Sequence, residues 1–144
     1  MINFSKSKTE KIDLTTDEAF AAITLIAMNI DGINHKMEFK IIGMVLDRMK
    51  LFKHYNEDSL RKMLKKLHNL LMEKGIETLY NSSISNIPDD LRNTAYAVAI
   101  DIIIADGKVV EKEKSFLEML AKSLKIPLET TNKIIEVMQI RYKG

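Results

Sequence analysis

Turn-forming residues are scarce in this sequence, and this scarcity constrains the fold more than any other feature. The chain has 144 residues but only five glycines and two prolines. All-β domains need turn residues about every 8–12 positions, between successive strands. Hydrophobic residues make up 46% of the chain and charged residues 29%, which is the balance of a soluble globular domain. We therefore predict an all-α protein, and the length predicts a single domain.

Apolar residues at helical spacing, together with capping residues, predict a bundle of about seven helices. Thr15 and Glu18 have the spacing of a capping box, which marks the start of the first helix. Two long apolar stretches, Ala19–Ile30 and Ala95–Ala105, are shorter than the roughly 20 residues of a membrane span, so we expect buried helices there. The first helix is expected to end at about residue 30, and the others to cover about 35–49, 60–71, 76–80, 88–105, 110–124 and 127 onward, with a polar linker at 81–86.

Several classes of function are excluded by what the sequence lacks. Without cysteine there is no disulfide framework, thiolate zinc site, iron–sulfur cluster or cysteine nucleophile. The sequence contains no P-loop, dinucleotide-binding glycine pattern or nucleophile elbow, so we expect a protein that is not an enzyme. A formal charge of +2 does not predict a nucleic-acid partner. We expect other proteins as partners, and the N-terminal residues do not resemble a signal peptide.

An internal repeat relates two parts of the chain at an offset of 75 residues. It aligns Ala19–Phe52 with Thr94–Pro127. In both copies an Asp-Gly pair lies between an apolar helix and an amphipathic helix, with a Glu seven residues after the Asp. The repeat predicts two similar helical hairpins related by a pseudo-two-fold axis, with Gly107 in a left-handed conformation. The signature residues that align are Asp31 with Asp106, Gly32 with Gly107, and Glu38 with Glu113.

The segment Ala97–Lys114 and its weaker echo at Asn29–Glu38 resemble the TerB-like tellurite-resistance family, which is related to the N-terminal domain of the co-chaperone DjlA. The likeness extends from about Thr15 to Arg141. It implies a seven-helix bundle in the bacterial cytoplasm, a role in tellurite and other chemical stress, and no established reaction. Metal chelation by acidic residues and protein interaction near the membrane have been proposed for that family. The first copy departs from the family pattern, because residues 35–37 replace the usual acidic stretch.

The repeated carboxylates are the candidate metal ligands. Oxygen ligands suit Ca²⁺, Mg²⁺ or Mn²⁺. Alternatively, each Asp accepts backbone hydrogen bonds in its turn and each Glu stabilises a helix N-terminus. An ordinary EF-hand is excluded, since Ile102 and Ile104 would occupy two of its ligand positions. Our leading hypothesis is a stress-response protein that binds a divalent cation, and the alternative is a metal-free helical adaptor acting near the membrane. The four candidate ligands are Asp31, Glu38, Asp106 and Glu113.

Three further features have a structural and a functional interpretation. Asp101 interrupts an apolar helix, and it either lies at the bundle edge, pairs with another side chain or serves as a supplementary ligand. The three histidines do not have the spacing of a zinc site. The stretch Arg48–Lys66 contains seven Lys or Arg residues, which form either a solvated face or a contact for acidic lipid or an acidic partner.

Overall fold

A computed structural model describes residues 4, 10–31, 39–105 and 109–144, and within these ranges the chain forms seven α-helices and no strand. The predicted all-α fold is therefore confirmed. Short 3₁₀ turns at Lys50–Phe52 and Asp89–Leu91 precede α3 and α5. The helices are α1 (Thr16–Asn29), α2 (Phe39–Asp47), α3 (Glu57–Lys74), α4 (Ile76–Ile84), α5 (Arg92–Ile104), α6 (Glu111–Ser123) and α7 (Leu128–Arg141).

Helix α1 is the centre of the bundle and packs against α2, α3, α4 and α5. It begins with the predicted capping box, in which the Thr15 side chain accepts the Glu18 N–H and the Glu18 side chain accepts the Thr15 N–H. Thr24 and Asn29 are buried but donate hydrogen bonds to carbonyls one turn earlier in the same helix. Because its polar side chains are satisfied internally, α1 is surrounded by other helices without leaving a buried donor unpaired.

The other helices complete the core around α1. Gly75 joins α3 to α4 with a φ of 88°, a left-handed conformation that favours glycine. Helix α5 packs against α6 and α7. Phe20, Tyr80 and Phe116 are among the large side chains that lie in the core. None of the helices in the described ranges is long and apolar enough to cross a membrane.

The predicted linker at 81–86 is wrong over its first four residues, because α4 continues through Ile84. Ser83 is fully buried, and its hydroxyl donates to the Leu79 carbonyl at 2.7 Å. The neighbouring Ser82 hydroxyl accepts the Ile12 N–H at 2.9 Å. These bonds let two small polar residues be buried within α4, so tertiary packing overrides their preference for loops.

The predicted start of the fifth helix at Pro88 is also wrong. Pro88 is extended, with a ψ of 159°, and its carbonyl accepts the Leu91 N–H to close a 3₁₀ turn before α5 begins at Arg92. The predicted turns of the two hairpins fall on Gly32, Asp106 and Gly107, which lie outside the described residues, so the left-handed conformation expected for Gly107 stays a prediction. Helices α1 and α5 end at Asn29 and Ile104, but superposition of the two hairpins remains a prediction.

Candidate interaction groove

Two of the four candidate metal ligands, Asp31 and Glu113, lie within the described residues. Asp31 is exposed and directly follows the C-cap of α1, whereas Glu113 is only 6% exposed in the first turn of α6. Glu38 and Asp106 lie outside the described residues. Among the residues that are described, no group of three or more His, Cys, Asp or Glu side chains is placed to hold a metal ion.

Glu113 has a structural role in the start of α6. Its carboxylate accepts the Val110 N–H at 3.0 Å, while its own N–H donates to the Val110 carbonyl at 3.0 Å. The carboxylate thus satisfies a donor at the helix N-terminus, where the helix dipole also favours its charge. This geometry supports the structural interpretation of Glu113.

Asp101 is paired, which was one of the expected alternatives. Its carboxylate accepts a hydrogen bond from the Tyr142 hydroxyl and lies 3.6 Å from the Arg141 Nε. The Asp101 side chain is 19% exposed. These contacts tie the C-terminal end of α7 to α5, so Asp101 helps to dock the last helix.

The described histidines belong to no group of three or more possible metal ligands within the ranges that the structure describes. His54 is exposed, and His35 lies outside the described residues. His68 is half-buried against the ring of Phe39, with 6.0 Å between ring centroids, and its Nδ1 is buried without a hydrogen-bond partner in the part of the chain that the structure describes.

A groove lies between α2 and α3. Its volume is about 440 Å³. Met44 is 58% exposed above the buried side chains of Leu60 and Leu64. We call this feature the α2–α3 groove; its apolar lining is Phe39, Gly43, Met44, Leu60 and Leu64, and its rim is Lys40, Asp47, Glu57 and Arg61.

The α2–α3 groove is electrostatically polarised along its length. Gly43 faces Leu60, and Phe39 faces His68, so the two helices run antiparallel. The C-terminal Asp47 of α2 therefore lies at the same end as Glu57, the first residue of α3, and this end is acidic. The other end contains Lys40. The four rim residues are Lys40, Asp47, Glu57 and Arg61, and none has an ion-pair partner within the described ranges.

Two lysines of the predicted basic stretch, Arg48–Lys66, form ion pairs within the protein. Lys62 pairs with Asp58 at 3.3 Å, and Lys66 pairs with Glu18 at 2.7 Å. Arg61 contributes instead to the rim of the groove. These charges were evident from the sequence but the groove was not; the one signal was Met44, an apolar residue that lies off the apolar stripe of α2.

Comparisons of the chain with protein-family models, with curated proteins and with solved structures found no match.

Proposed function

We propose that this protein is a non-enzymatic helical adaptor whose α2–α3 groove receives an amphipathic helix of a partner protein. The observation that carries the proposal is Met44, which remains 58% exposed within an apolar groove. Methionine adapts its shape to different apolar surfaces and is common in surfaces that bind helices. The charges of the rim would set the orientation of the bound helix.

Tellurite and other chemical stress is the proposed cellular setting of this adaptor. It is supported by the Asp-Gly and Glu signature of the repeat and by the resemblance of Ala97–Lys114 to the TerB-like family. The proposed location is the cytoplasm, with action near the membrane as part of the adaptor proposal. The groove and the stress role are separate parts of the proposal, so they need separate readouts.

The matched variants Met44→Asp and Met72→Asp test the groove. Both replace an exposed methionine, 58% and 43% exposed respectively, but only Met44 lines the groove. We expect both variants to keep the helical circular dichroism of the wild type. A photo-crosslinker at position 44 should join the chain to a different protein in cells, and the same group at position 72 should not. Arg61→Glu should abolish the crosslink from position 44.

Tellurite tolerance is the second readout. A tellurite-sensitive bacterial host that expresses the wild-type chain should become more tolerant, and Met44→Asp should remove the gain while Met72→Asp keeps it. Equal crosslinking from positions 44 and 72 would contradict the adaptor role of the groove. A crosslink specific to position 44 without any change in tolerance would contradict only the stress role.

A divalent cation at the repeated carboxylates is the second candidate, and the duplication of Asp31 and Glu38 as Asp106 and Glu113 favours it. Variants of Glu113 distinguish a role as a metal ligand from a role as a helix-capping residue. Glu113→Gln keeps an acceptor for the Val110 N–H, so we expect the free energy of unfolding to change by less than about 0.5 kcal/mol, whereas Glu113→Ala should cost about 1 kcal/mol.

Calorimetric titration and thermal unfolding with millimolar Ca²⁺, Mg²⁺ or Mn²⁺ complete this test. If Glu113 is a ligand, a cation raises the melting temperature of the wild type and Glu113→Gln loses most of that increase, because a neutral amide attracts a cation less strongly. The absence of any cation-dependent shift in the wild type would contradict the metal candidate and leave the adaptor proposal unaffected.

A further inference from the structure

The outer face of α7 carries an apolar patch that the fold does not cover. Val137 and Ile140 are 60% and 66% exposed. They lie one helical turn apart, opposite the face that packs against the core. Ordinary surface helices present polar residues on the side away from the core. This patch is therefore a second candidate contact surface, separate from the α2–α3 groove.

The charges beside this patch have the opposite order to those of the groove. Glu136 precedes the patch and Lys143 follows it; both are exposed, and neither has an ion-pair partner in the ranges that the structure describes. In the groove, Lys40 precedes Met44 on α2 and Asp47 follows it. From its N-terminus to its C-terminus, the α7 surface is therefore acidic, apolar and then basic. The α2 side of the groove is basic, apolar and then acidic.

The spacing of the two sets of charges also matches. Glu136 and Lys143 are seven residues apart, as are Lys40 and Asp47. Seven residues span roughly 10 Å along α2, and Lys143 lies two residues beyond the C-terminal end of α7, where its long side chain can cover a similar distance from Glu136. Both charge pairs can therefore meet at once if the docked helix lies parallel to α2. Val137 and Ile140 would then face Met44.

We infer that the α2–α3 groove of one copy receives α7 of a second copy of this chain. The inference rests on the proposed function in that the groove accepts a helix, and it names that helix. The outer face of α7 and the groove are different surfaces, so a reciprocal exchange between two copies forms the same contact twice and closes the pair. A copy bound in this way also occupies the groove that other partners would use.

Two single variants of the full chain test this contact by light scattering and sedimentation equilibrium. Met44→Asp blocks the groove and Ile140→Asp blocks the helix, and both positions are exposed, so the fold should survive as judged by circular dichroism. We expect the wild type to associate to twice the 16.5 kDa mass of one chain. Each variant alone should be monomeric at the same concentration. Leu128→Asp is the control, because Leu128 is 74% exposed on α7 but lies outside the patch.

A mixture of the two variants gives the decisive result. Met44→Asp retains an intact α7 and Ile140→Asp retains an intact groove, so the mixture should form a pair through one remaining contact. Because this pair has one contact and the wild-type pair has two, it should need a higher protein concentration to stay associated. A mixture that stays monomeric at millimolar concentration would overturn the inference, as would a wild type that is monomeric under the same conditions.

Exchange of charges adds an independent check. Lys40→Glu should weaken the association, and Glu136→Lys in the same chain should restore part of it. A monomeric wild type together with a crosslink from position 44 to a different protein would refute the second copy as occupant and leave the adaptor function standing. Loss of both the association and the crosslink would refute both proposals.

Discussion

Replacing Phe20 with alanine is expected to lower the free energy of unfolding by about 3–5 kcal/mol, the largest effect of any single substitution proposed for this protein. Phe20 is fully buried on the central helix α1, and its ring meets Phe52 edge to face with 6.0 Å between centroids. Alanine would remove the ring and leave a cavity among helices that cannot collapse independently. The measurement is urea denaturation of the variant and the wild type.

A milder variant and a surface control make this result interpretable. Phe20→Leu should cost less than Phe20→Ala because it fills part of the cavity. Leu128→Ala should change the free energy of unfolding by no more than about 0.5 kcal/mol, since Leu128 is 74% exposed. A loss of less than about 1 kcal/mol for Phe20→Ala would contradict the central position of α1.

Alkaline pH is expected to destabilise the wild type more than the variant Tyr80→Phe. Tyr80 is 2% exposed between the rings of Phe4 and Phe116, and its hydroxyl donates to Ser123 Oγ at 2.7 Å. Burial raises the pKa of Tyr80 to about 12 from a usual value of 10.0, although the hydrogen bond with Ser123 lowers it in part. The folded protein therefore keeps the phenolic proton at pH values where the unfolded chain releases it.

The sign of this effect follows from proton linkage. The stabilisation is fully present below the unfolded pKa of 10.0 and is lost as the pH rises through the folded pKa of about 12. By pH 12 the wild type should have lost about 2 kcal/mol relative to Tyr80→Phe, which has no proton to release at this position. At pH 7 the variant should instead be less stable by about 1 kcal/mol, because it lacks the hydrogen bond.

Denaturation of both proteins between pH 7 and pH 12 measures this difference directly. Burial also raises the pKa values of Tyr55 and Tyr96, but these residues are present in both proteins and their effects cancel in the comparison. A constant stability difference across this range would show that Tyr80 is accessible to solvent in the folded state.

The existence of the helices could be predicted because their signals are local. The capping box of Thr15 and Glu18 begins α1 where the sequence indicated, and Pro127 directly precedes α7. Local signals failed where a tertiary contact competed with them. Ser82 and Ser83 have the composition of a linker, yet both are buried in α4 because nearby carbonyl and amide groups satisfy their hydroxyls.

The candidate sites show the same division. A carboxylate in the first turn of α6 was evident from the sequence, but its bond to the Val110 N–H became evident only from the folded position of Glu113. Asp101 was recognisable as an anomaly in an apolar helix, while its partners Arg141 and Tyr142 lie some 40 residues away in sequence. Spacing alone does not identify a partner at that separation.

The sequence by itself determined that this chain is helical and which side chains are apolar, because hydrogen bonds and caps within a helix depend on neighbouring residues. Only the tertiary structure decided which apolar side chains stay exposed. Leu60 and Met44 both belong to amphipathic helices, yet packing of α2 against α3 buries the first and leaves the second 58% exposed. The groove exists because two helices separated in sequence meet at an angle and distance that no local pattern encodes.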